Sequence, residues 1–267
     1  MCLIVFAWQV IPNMPLLAAG NRDEFYDRPA SPAGWWHDHP QIYAGRDLQG
    51  GGTWMGVSRD GRFAAITNIR APSEMRTDAP TRGNLVLNYL AGKMTPTDYV
   101  QEISAYAADY NGFNLLIGDA TELIWYSNRG EKDERNGKPL KQGMYGLSNS
   151  LLDCAWPKVV STKAEFASLL CQGAPEDAFF EMLSDTTSAS DCRLPKTGVS
   201  LERERLLSAV CIESPDYGTR VSTLIKLQNG QSPVLIERPT VAMPAMPERV
   251  PHRGPCTKGF KSGLLAH

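Results

Sequence analysis

The first 25 residues of the chain, MCLIVFAWQVIPNMPLLAAGNRDEF (1–25), contain two apolar runs separated by a turn. The first run, from Leu3 to Trp8, is too short to cross a membrane, and its β-branched and aromatic residues favour a buried strand. After the turn IPNMP comes a second run, LLAAG, so the two runs predict a β-hairpin. Because a hairpin returns the chain to its origin, the polar stretch 21–24 is expected close to residue 2.

The cysteine that follows the start methionine has two interpretations. A free cysteine packs well as a small hydrophobic residue, and this explains many buried examples. Methionine aminopeptidases, however, generally remove Met1 when the next residue is small, as Cys2 is. The processed chain would then carry a thiol and an α-amino group on the same residue, which is a nucleophile together with a base.

Composition and charge exclude several classes of function. The net charge is −2 over 267 residues, so no basic field favours nucleic acid or an anionic membrane. No stretch qualifies as a transmembrane helix. The six cysteines are scattered without a CxxC pair, which predicts neither a zinc site nor a disulfide scaffold. We therefore expect a reduced, cytoplasmic protein, in which Cys171 lies buried and inert on a predicted helix.

The pattern along the chain predicts one α+β domain over residues 1–267. Turn signals pair strands into antiparallel hairpins, as where Asp60 and Gly61 separate TWMGVS from RFAAITN. Helices are predicted within 81–110 and 156–185, and the Pro- and Trp-rich segment 28–40 is predicted to be a loop. Two stacked antiparallel sheets with helices outside would cover every apolar face. Residues 242–267 are predicted to form a C-terminal strap or tail.

Five polar residues stand out beside Cys2. An arginine such as Arg22 lowers the pKa of a neighbouring thiol, and a carboxylate such as Asp23 can hold an α-amino group. Asn68 and Asn149 follow short strands, and their amide groups can stabilise an oxyanion. Arg220 heads a late strand and could be a second cation in a pocket. Each residue also has an ordinary interpretation, as a strand end, a turn or a solvated edge.

Taken in order, the motifs resemble the NRDE family, also called transport-and-Golgi-organisation 2-like. They cover nearly the whole chain: MC, GNRDEF, GGGTWMGVS, AAITNIRAP, GLSNS followed by WPK, and YGTRVSTL. That family is in turn similar to N-terminal-nucleophile hydrolases of the choloylglycine hydrolase and penicillin V acylase type. The resemblance implies a four-layer αββα sandwich.

The same resemblance implies a catalytic site and an activity. It assigns the nucleophile to Cys2 and supporting roles to the five polar residues, Arg22, Asp23, Asn68, Asn149 and Arg220. The implied activity is hydrolysis of an acyl substrate, an amide or a thioester, without a metal or other required cofactor. One departure is that the arginine and aspartate are adjacent here, whereas two residues separate them in those hydrolases. Neighbours on a regular strand point to opposite faces, so both can face Cys2 only if the strand ends or bulges there.

A second function remains open, that of a haem or lipid carrier on the same fold. Members of the NRDE family have been connected with haem trafficking and lipid metabolism. In this sequence, WWHDHP places His37 and His39 beside Trp35 and Trp36, and imidazole can ligate haem iron. Loop histidines of this kind are more often packing or surface residues, and there is no CxxCH motif for covalent attachment. A third possibility is a protein that keeps the fold without the chemistry.

Overall fold

The computed structural model describes residues 2–240. The strands are β1 (Cys2–Ile11), β2 (Met14–Phe25), β3 (Ala30–Trp35), β4 (Ile42–Asp47), β5 (Met55–Ser58), β6 (Phe63–Asn68), β7 (Phe113–Gly118), β8 (Leu123–Ser127), β9 (Lys138–Pro139), β10 (Gly143–Leu147), β11 (Tyr217–Leu227) and β12 (Val234–Pro239). The α-helices are α1 (Gly83–Ala91), α2 (Pro96–Ser104), α3 (Pro157–Gln172), α4 (Glu176–Met182) and α5 (Leu201–Leu206). The expected strap at 242–267 lies outside the described residues.

The predicted N-terminal hairpin forms the centre of a five-stranded antiparallel sheet. Its strand order is β10-β1-β2-β11-β12, so both strands of the hairpin are interior. Within the hairpin, Cys2 pairs directly with Arg22. Next to this pair, β11 contains a bulge: Thr219 pairs with Asp23, Val221 pairs with Arg22, and Arg220 is the extra residue. The start of β1 therefore lies beside two arginines.

The second sheet contains seven antiparallel strands in the order β3-β4-β5-β6-β7-β8-β9, which is simple chain order. The predicted turn at Asp60 and Gly61 is confirmed, and Gly61 supplies the positive φ of 86°. The loop prediction for 28–40 is partly wrong, because Ala30–Trp35 forms the edge strand β3. Its pairing with β4 is irregular between Ser31 and Gly34, and prolines are tolerated at such an edge.

The sheets stack face to face, and helices cover their outer faces. Side chains alternate along β1: Ile4 and Phe6 enter the core between the sheets, whereas Leu3 and Val5 pack under α3 and α4. Helices α1 and α2 bury their apolar faces on the seven-stranded sheet. This arrangement confirms the αββα layering that the hairpins and helices predict.

The helix ends follow local sequence signals. Thr95 caps α2 by accepting a 3.1 Å hydrogen bond from the backbone N–H of Asp98, and Pro96 occupies the first helical position. Gly173 ends α3 in the left-handed conformation with φ of 62°. Helix α5 was not predicted, because its six residues, LERERL, are too few for a clear apolar period.

We predict that Gly20→Ala destabilises the sheet that carries the hairpin. A Cβ at Gly20 would lie 2.6 Å from the backbone oxygen of Leu3, which cannot move without separating β1 from β2. The free energy of unfolding, measured by chemical denaturation, should fall by about 1–3 kcal/mol.

The matched control is Gly34→Ala, also in a strand. A Cβ at Gly34 would meet nothing within 4 Å, so the free energy of unfolding should change by no more than about 0.5 kcal/mol. Equal effects of the two substitutions would contradict the close approach at Gly20.

Candidate active site at the start of strand β1

A cavity of about 300 Å³ opens where β1 and β2 of one sheet meet β4 and β6 of the other. Its volume is at the lower end of the range for small-molecule sites. The cavity wall contains Cys2 and is rich in charged side chains. Five arginines and three glutamate or aspartate residues contribute to it, in addition to Asp23: Arg22, Arg28, Arg46, Arg82, Arg220, Glu24, Asp47 and Glu237.

Cys2 is buried at the head of β1 and faces the space between the sheets. Burial raises the pKa of its thiol to about 11. The negative charge of Asp23 adds to this rise, and the guanidinium of Arg22 opposes it. Arg22 thus acts in the expected direction, but desolvation outweighs it, and the thiol is protonated at neutral pH.

Asp23 lies on the opposite face of β2 from Arg22. It is buried, and its Oδ1 accepts a 2.7 Å hydrogen bond from the hydroxyl of Thr219. Its neighbour two positions earlier, Asn21, donates to the carbonyl oxygens of Leu183 and Val210 on the helix-covered side. Asp23 still borders the cavity, because it follows the last residue of β2 that pairs with β1. Because Arg22 and Asp23 are adjacent, their side chains lie on opposite faces of β2, at the end of the strand that borders the cavity.

The two predicted oxyanion donors, Asn68 and Asn149, lie next to each other, but only Asn68 lines the cavity. Asn68 ends β6 and lines the cavity. Asn149 is buried and does not line the cavity; its Nδ2 donates a 2.9 Å hydrogen bond to the backbone oxygen of Asn68. Next to it, the hydroxyl of Ser148 donates to the carbonyl oxygen of Cys2 at 3.0 Å. Ser148 and Asn149 thus connect the ends of β1 and β6.

Arg220 reaches the cavity because of the bulge in β11. A bulge places two residues of one strand opposite one residue of its partner, so Arg220 and Val221 both lie opposite Arg22. The guanidinium of Arg220 donates to the carbonyl oxygens of Phe25 and Arg28. These contacts hold the guanidinium against the turn that follows β2.

Arg22 and three neighbouring side chains form a network of opposite charges. The guanidinium Nη2 of Arg22 lies 3.7 Å from a carboxylate oxygen of Glu24 and 3.7 Å from one of Asp47. Arg28 binds Asp47 at 2.8 Å and lies 3.9 Å from Glu24. The network orients Arg22 while leaving it beside Cys2.

Sequence reasoning missed Arg82 and Glu237. Arg82 precedes α1, donates a 3.0 Å hydrogen bond to the carbonyl oxygen of Gly112 and lies close enough to Cys2 for their charges to interact. Burial lowers the pKa of Arg82, and Cys2 opposes that change. Burial also raises the pKa of Glu237, which accepts a 2.8 Å hydrogen bond from the backbone N–H of Ala33. Neither Arg82 nor Glu237 belongs to a sequence pattern that indicates a site, because each reaches the cavity only through contacts between segments that are distant in sequence.

Sequence reasoning also missed the burial of Lys158, although this residue belongs to the WPK motif. Lys158 lies in the first turn of α3 and is buried. Burial lowers the pKa of its ammonium group to about 8, with Asp23 opposing the change. A lysine two residues after a tryptophan at a helix start was the available signal.

The aromatic and histidine residues proposed for haem do not line the cavity. Trp36 is buried and donates a 3.0 Å hydrogen bond to the carbonyl oxygen of Ala44, and the His39 ring lies 6.3 Å from it. Trp35 is exposed and stacks on the guanidinium of Arg59 at 3.7 Å. His37 is exposed. The structure therefore separates this cluster from Cys2.

Two further findings concern the whole described chain. Within residues 2–240, no three His, Cys, Asp or Glu side chains are grouped so that they could hold a metal ion, and no helix is long and apolar enough to span a membrane. The expectation for Cys171 is wrong: it is exposed, because it lies on the solvent side near the end of α3.

Comparison with solved structures finds distant matches. A C2A mutant of conjugated bile acid hydrolase from Clostridium perfringens matches with a TM-score of 0.46 and 10% identity, over 90% of this chain and 92% of that chain. Penicillin V acylase from Agrobacterium tumefaciens matches with a TM-score of 0.39 and 14% identity, over 90% of this chain and 86% of that chain.

Comparison with known sequences finds much closer relatives. The Transport and Golgi organization protein 2 homologs of Bos taurus and Homo sapiens are each 35% identical over 246 residues, covering 84% of this chain and 88% of theirs. The Drosophila melanogaster protein of that name is 28% identical over 190 residues, covering 64% of this chain and 65% of its own. The family model described as Transport and Golgi organisation 2 matches residues 1–241. The chain therefore belongs to the Transport and Golgi organisation 2 family, as its motifs indicate.

Proposed function

We propose that the chain is an N-terminal-cysteine acyl hydrolase that acts on an amide or a thioester after removal of Met1. One observation carries the proposal: the Cys2 thiol lies in the wall of a charged cavity, at the one position where removal of a single residue exposes an α-amino group. Arg22 lies directly across the hairpin from it, and Asn68 lines the same cavity.

The raised thiol pKa of about 11 makes a base necessary. A thiol with this pKa is almost entirely protonated at pH 7, and the thiol is a far weaker nucleophile than the thiolate. The α-amino group of the processed Cys2 has an ordinary pKa near 8, which suits a base that works around neutral pH. It lies on the same residue as the thiol, so it can accept the proton directly or through one water molecule.

The reaction would follow the usual two steps of nucleophilic catalysis. The thiol proton moves to the α-amino group while sulfur forms a bond to the acyl carbon. The tetrahedral intermediate collapses, and the leaving amine or thiol takes the proton from the α-ammonium group. Water then attacks the thioester, gives one proton to the α-amino group and releases the carboxylic acid. The Cys2 thiol recovers its proton in this last step.

Asn68 is the proposed oxyanion donor. Its position in the cavity wall at the end of β6 suits contact with the acyl oxygen. Asn149 is proposed to act through Asn68, because its amide nitrogen binds the Asn68 backbone rather than lining the cavity. Arg22, Arg82 and Arg220 supply positive charge in the same cavity, which favours a developing negative charge.

The first prediction concerns processing. Cys2 of the processed chain should react with iodoacetamide at pH 7.5 at least about tenfold faster than Cys2 preceded by Met1, because only the processed chain has the base. Two proteins differing by Met1 can be made by cleaving a fusion before residue 1 or before residue 2. Rates at Cys2 follow from peptide mapping, with Cys171 and Cys192 replaced by serine because both are exposed.

Cys154, which is partly exposed in both proteins, serves as the internal control and should react at the same rate in each. Protein from its native host should yield an N-terminal peptide that begins at Cys2. A native N-terminal peptide that begins at Met1 would remove the base from the mechanism.

The second prediction separates hydrolase from carrier. Cys2→Ala should abolish turnover of amides and thioesters and leave ligand affinity within about twofold, because one sulfur contributes little to a large contact. The measurement is an acyl-substrate screen on wild type and variant, beside a haem titration of the same proteins and of a His37→Ala, His39→Ala double variant.

A haem carrier that ligates through histidine would lose its Soret shift in the double variant and keep it in Cys2→Ala. A wild type that hydrolyses no substrate yet binds haem saturably would overturn the hydrolase proposal in favour of the carrier.

The third prediction concerns the asparagines. Asn68→Ala should lower kcat by about 10²–10³ with little change in KM, because an oxyanion donor acts in the transition state. Asn149→Ala should lower kcat less and should also lower the melting temperature, since it removes the buried hydrogen bond to Asn68. Steady-state kinetics and thermal unfolding measure both. A raised KM with unchanged kcat in Asn68→Ala would assign Asn68 to substrate binding only.

A further inference from the structure

The glycine run 50–52 of the motif GGGTWMGVS has no part in the proposed chemistry, yet it reaches the cavity. Gly52 lines the cavity together with three residues that lead into α1, namely Thr81, Arg82 and Gly83. The run follows β4 of the seven-stranded sheet, whereas Cys2 lies in the five-stranded sheet. The glycine motif and the start of α1 therefore form a part of the cavity wall that the other sheet layer contributes.

The glycines allow the chain before α1 to approach closely. A Cβ at Gly52 would collide with the backbone carbonyl group of Gly83, and a Cβ at Gly50 would lie 2.9 Å from the hydroxyl oxygen of Thr81. Backbone atoms cannot yield as a flexible side chain can, so a larger residue at position 52 would displace the start of α1. The glycine run thus sets the position of the backbone that carries Arg82.

The side chain of Arg82 is held at one end. Its Nη1 donates a 3.0 Å hydrogen bond to the carbonyl oxygen of Gly112, which also accepts a 2.9 Å hydrogen bond from the backbone N–H of Ile69. Next to Gly112, the buried side chain of Asn111 exchanges two 2.8 Å hydrogen bonds with the backbone of Arg76. A guanidinium has five N–H donors, so most of those of Arg82 are left for a ligand in the cavity.

Two of the five arginines in the cavity wall are already neutralised by carboxylates. Arg28 binds Asp47 at 2.8 Å. Arg46 binds Asp38 through two hydrogen bonds, at 2.8 and 2.7 Å. These two guanidinium groups therefore have little charge to offer to a ligand.

The other three arginines are compensated weakly or not at all. Within the part of the chain that the structure describes, neither Arg82 nor Arg220 forms an ion pair with a carboxylate. Arg22 lies 3.7 Å from a carboxylate oxygen of Glu24 and from one of Asp47. Arginine stays protonated in proteins, and a charge removed from water is costly without an opposite partner. An anion in the cavity would supply that partner.

The carboxylates of the wall are engaged with other protein groups. Asp47 accepts a 2.9 Å hydrogen bond from the backbone N–H of Gly50, in addition to its ion pair. Glu237 accepts one of 2.8 Å from the backbone N–H of Ala33. These contacts hold both carboxylates away from Arg82, whose charge is then directed to the cavity.

We propose that Arg82 binds a carboxylate of the substrate, so that the hydrolase acts on a compact acyl substrate with a negatively charged group beside its scissile carbonyl. This inference rests on the proposed function, since it names the substrate class of that site. A planar guanidinium matches the two oxygens of a carboxylate with parallel N–H donors. The cavity of about 300 Å³, which Cys2 and Arg82 both line, limits the substrate to a small one.

The test compares an anionic alkylating agent, iodoacetate, with iodoacetamide, a neutral one of the same size. With either reagent, sulfur bonds to the methylene carbon, iodide leaves and the thiol proton passes to a base or to water. Rates at Cys2 are measured at pH 7.5 in the processed protein with Cys171 and Cys192 replaced by serine. Each rate is divided by the rate of the same reagent at Cys154. The ratio of iodoacetate to iodoacetamide then expresses the carboxylate preference, because the reactivity of the thiol itself cancels.

Wild type should prefer iodoacetate at Cys2 by about tenfold or more, since a cavity with uncompensated cations concentrates an anionic reagent. Arg82→Gln should lower this preference by about fivefold or more, because charge-assisted hydrogen bonds to the carboxylate are lost. The glutamine amide keeps a donor for the carbonyl oxygen of Gly112, which favours an intact wall. The rate with iodoacetamide at Cys2 reports whether the site is otherwise preserved.

The matched control is Arg46→Gln, which removes an arginine from the same wall. Because Arg46 is bound to Asp38, its loss should change the preference by less than about twofold. An equal loss in both variants would assign the preference to the overall field of the cavity and overturn the role of Arg82. If Arg82→Gln does not fold, Arg82→Lys decides: it keeps the charge but loses the paired donors, and an unchanged preference would overturn the proposal.

The alkylation experiment separates this proposal from the proposed function, because it needs no hydrolysis. A protein that hydrolyses no acyl substrate and still prefers iodoacetate through Arg82 would keep the carboxylate site and lose the proposed activity. A protein that hydrolyses neutral amides or thioesters and shows no preference for iodoacetate would keep the activity and overturn the carboxylate site.

Discussion

The backbone pairing of Cys2 with Arg22 is the interaction on which the rest of the site depends. It places the first residues of the chain in the central hairpin of a sheet, where each strand of the hairpin pairs with a neighbouring strand on both sides. A strand buried on both faces cannot shift by one residue without exchanging its two sets of side chains. The register therefore fixes which groups face the space between the sheets, Cys2 and Arg22, and which face the helices, Asn21 and Asp23.

The bulge at Arg220 adapts this regular sheet to a cavity. A regular β11 would place alternate residues on alternate faces, and only one of Arg220 and Val221 could lie opposite Arg22. The extra residue brings a second arginine into the cavity wall while Thr219 still binds Asp23 on the other face. The single bulge in β11 thus affects which residues lie on each face of the sheet at this strand end. Positive charge collects on the cavity side, and a polar contact is kept on the helix side.

Desolvation controls the chemistry of this strand end. It raises the pKa of Cys2 and Asp23 and lowers that of Lys158, in each case against the charged form. For Cys2 the result is a thiol that is protonated at neutral pH, and for Lys158 it is an ammonium group that loses its proton more readily than an exposed lysine does. A protonated thiol is a weak nucleophile, which is why the proposed function relies on the α-amino group of residue 2 as a base. The arginine beside the thiol is too weak to ionise it alone.

The sequence by itself determined the hairpins, because apolar periodicity and turn residues are local properties of the chain. The ordered motifs identified the family, and the resemblance to that family implied the layered fold. It also identified Cys2, Arg22, Asn68 and Arg220, which line one cavity, from the motifs in which they occur. Only the tertiary structure decided that Asn149 binds the Asn68 backbone and that Arg82 and Lys158 lie near Cys2. Those residues come from a segment before one helix, the first turn of another and a loop, whose meeting depends on how the layers pack. Burial, and with it the sign of each pKa shift, exists only after that packing.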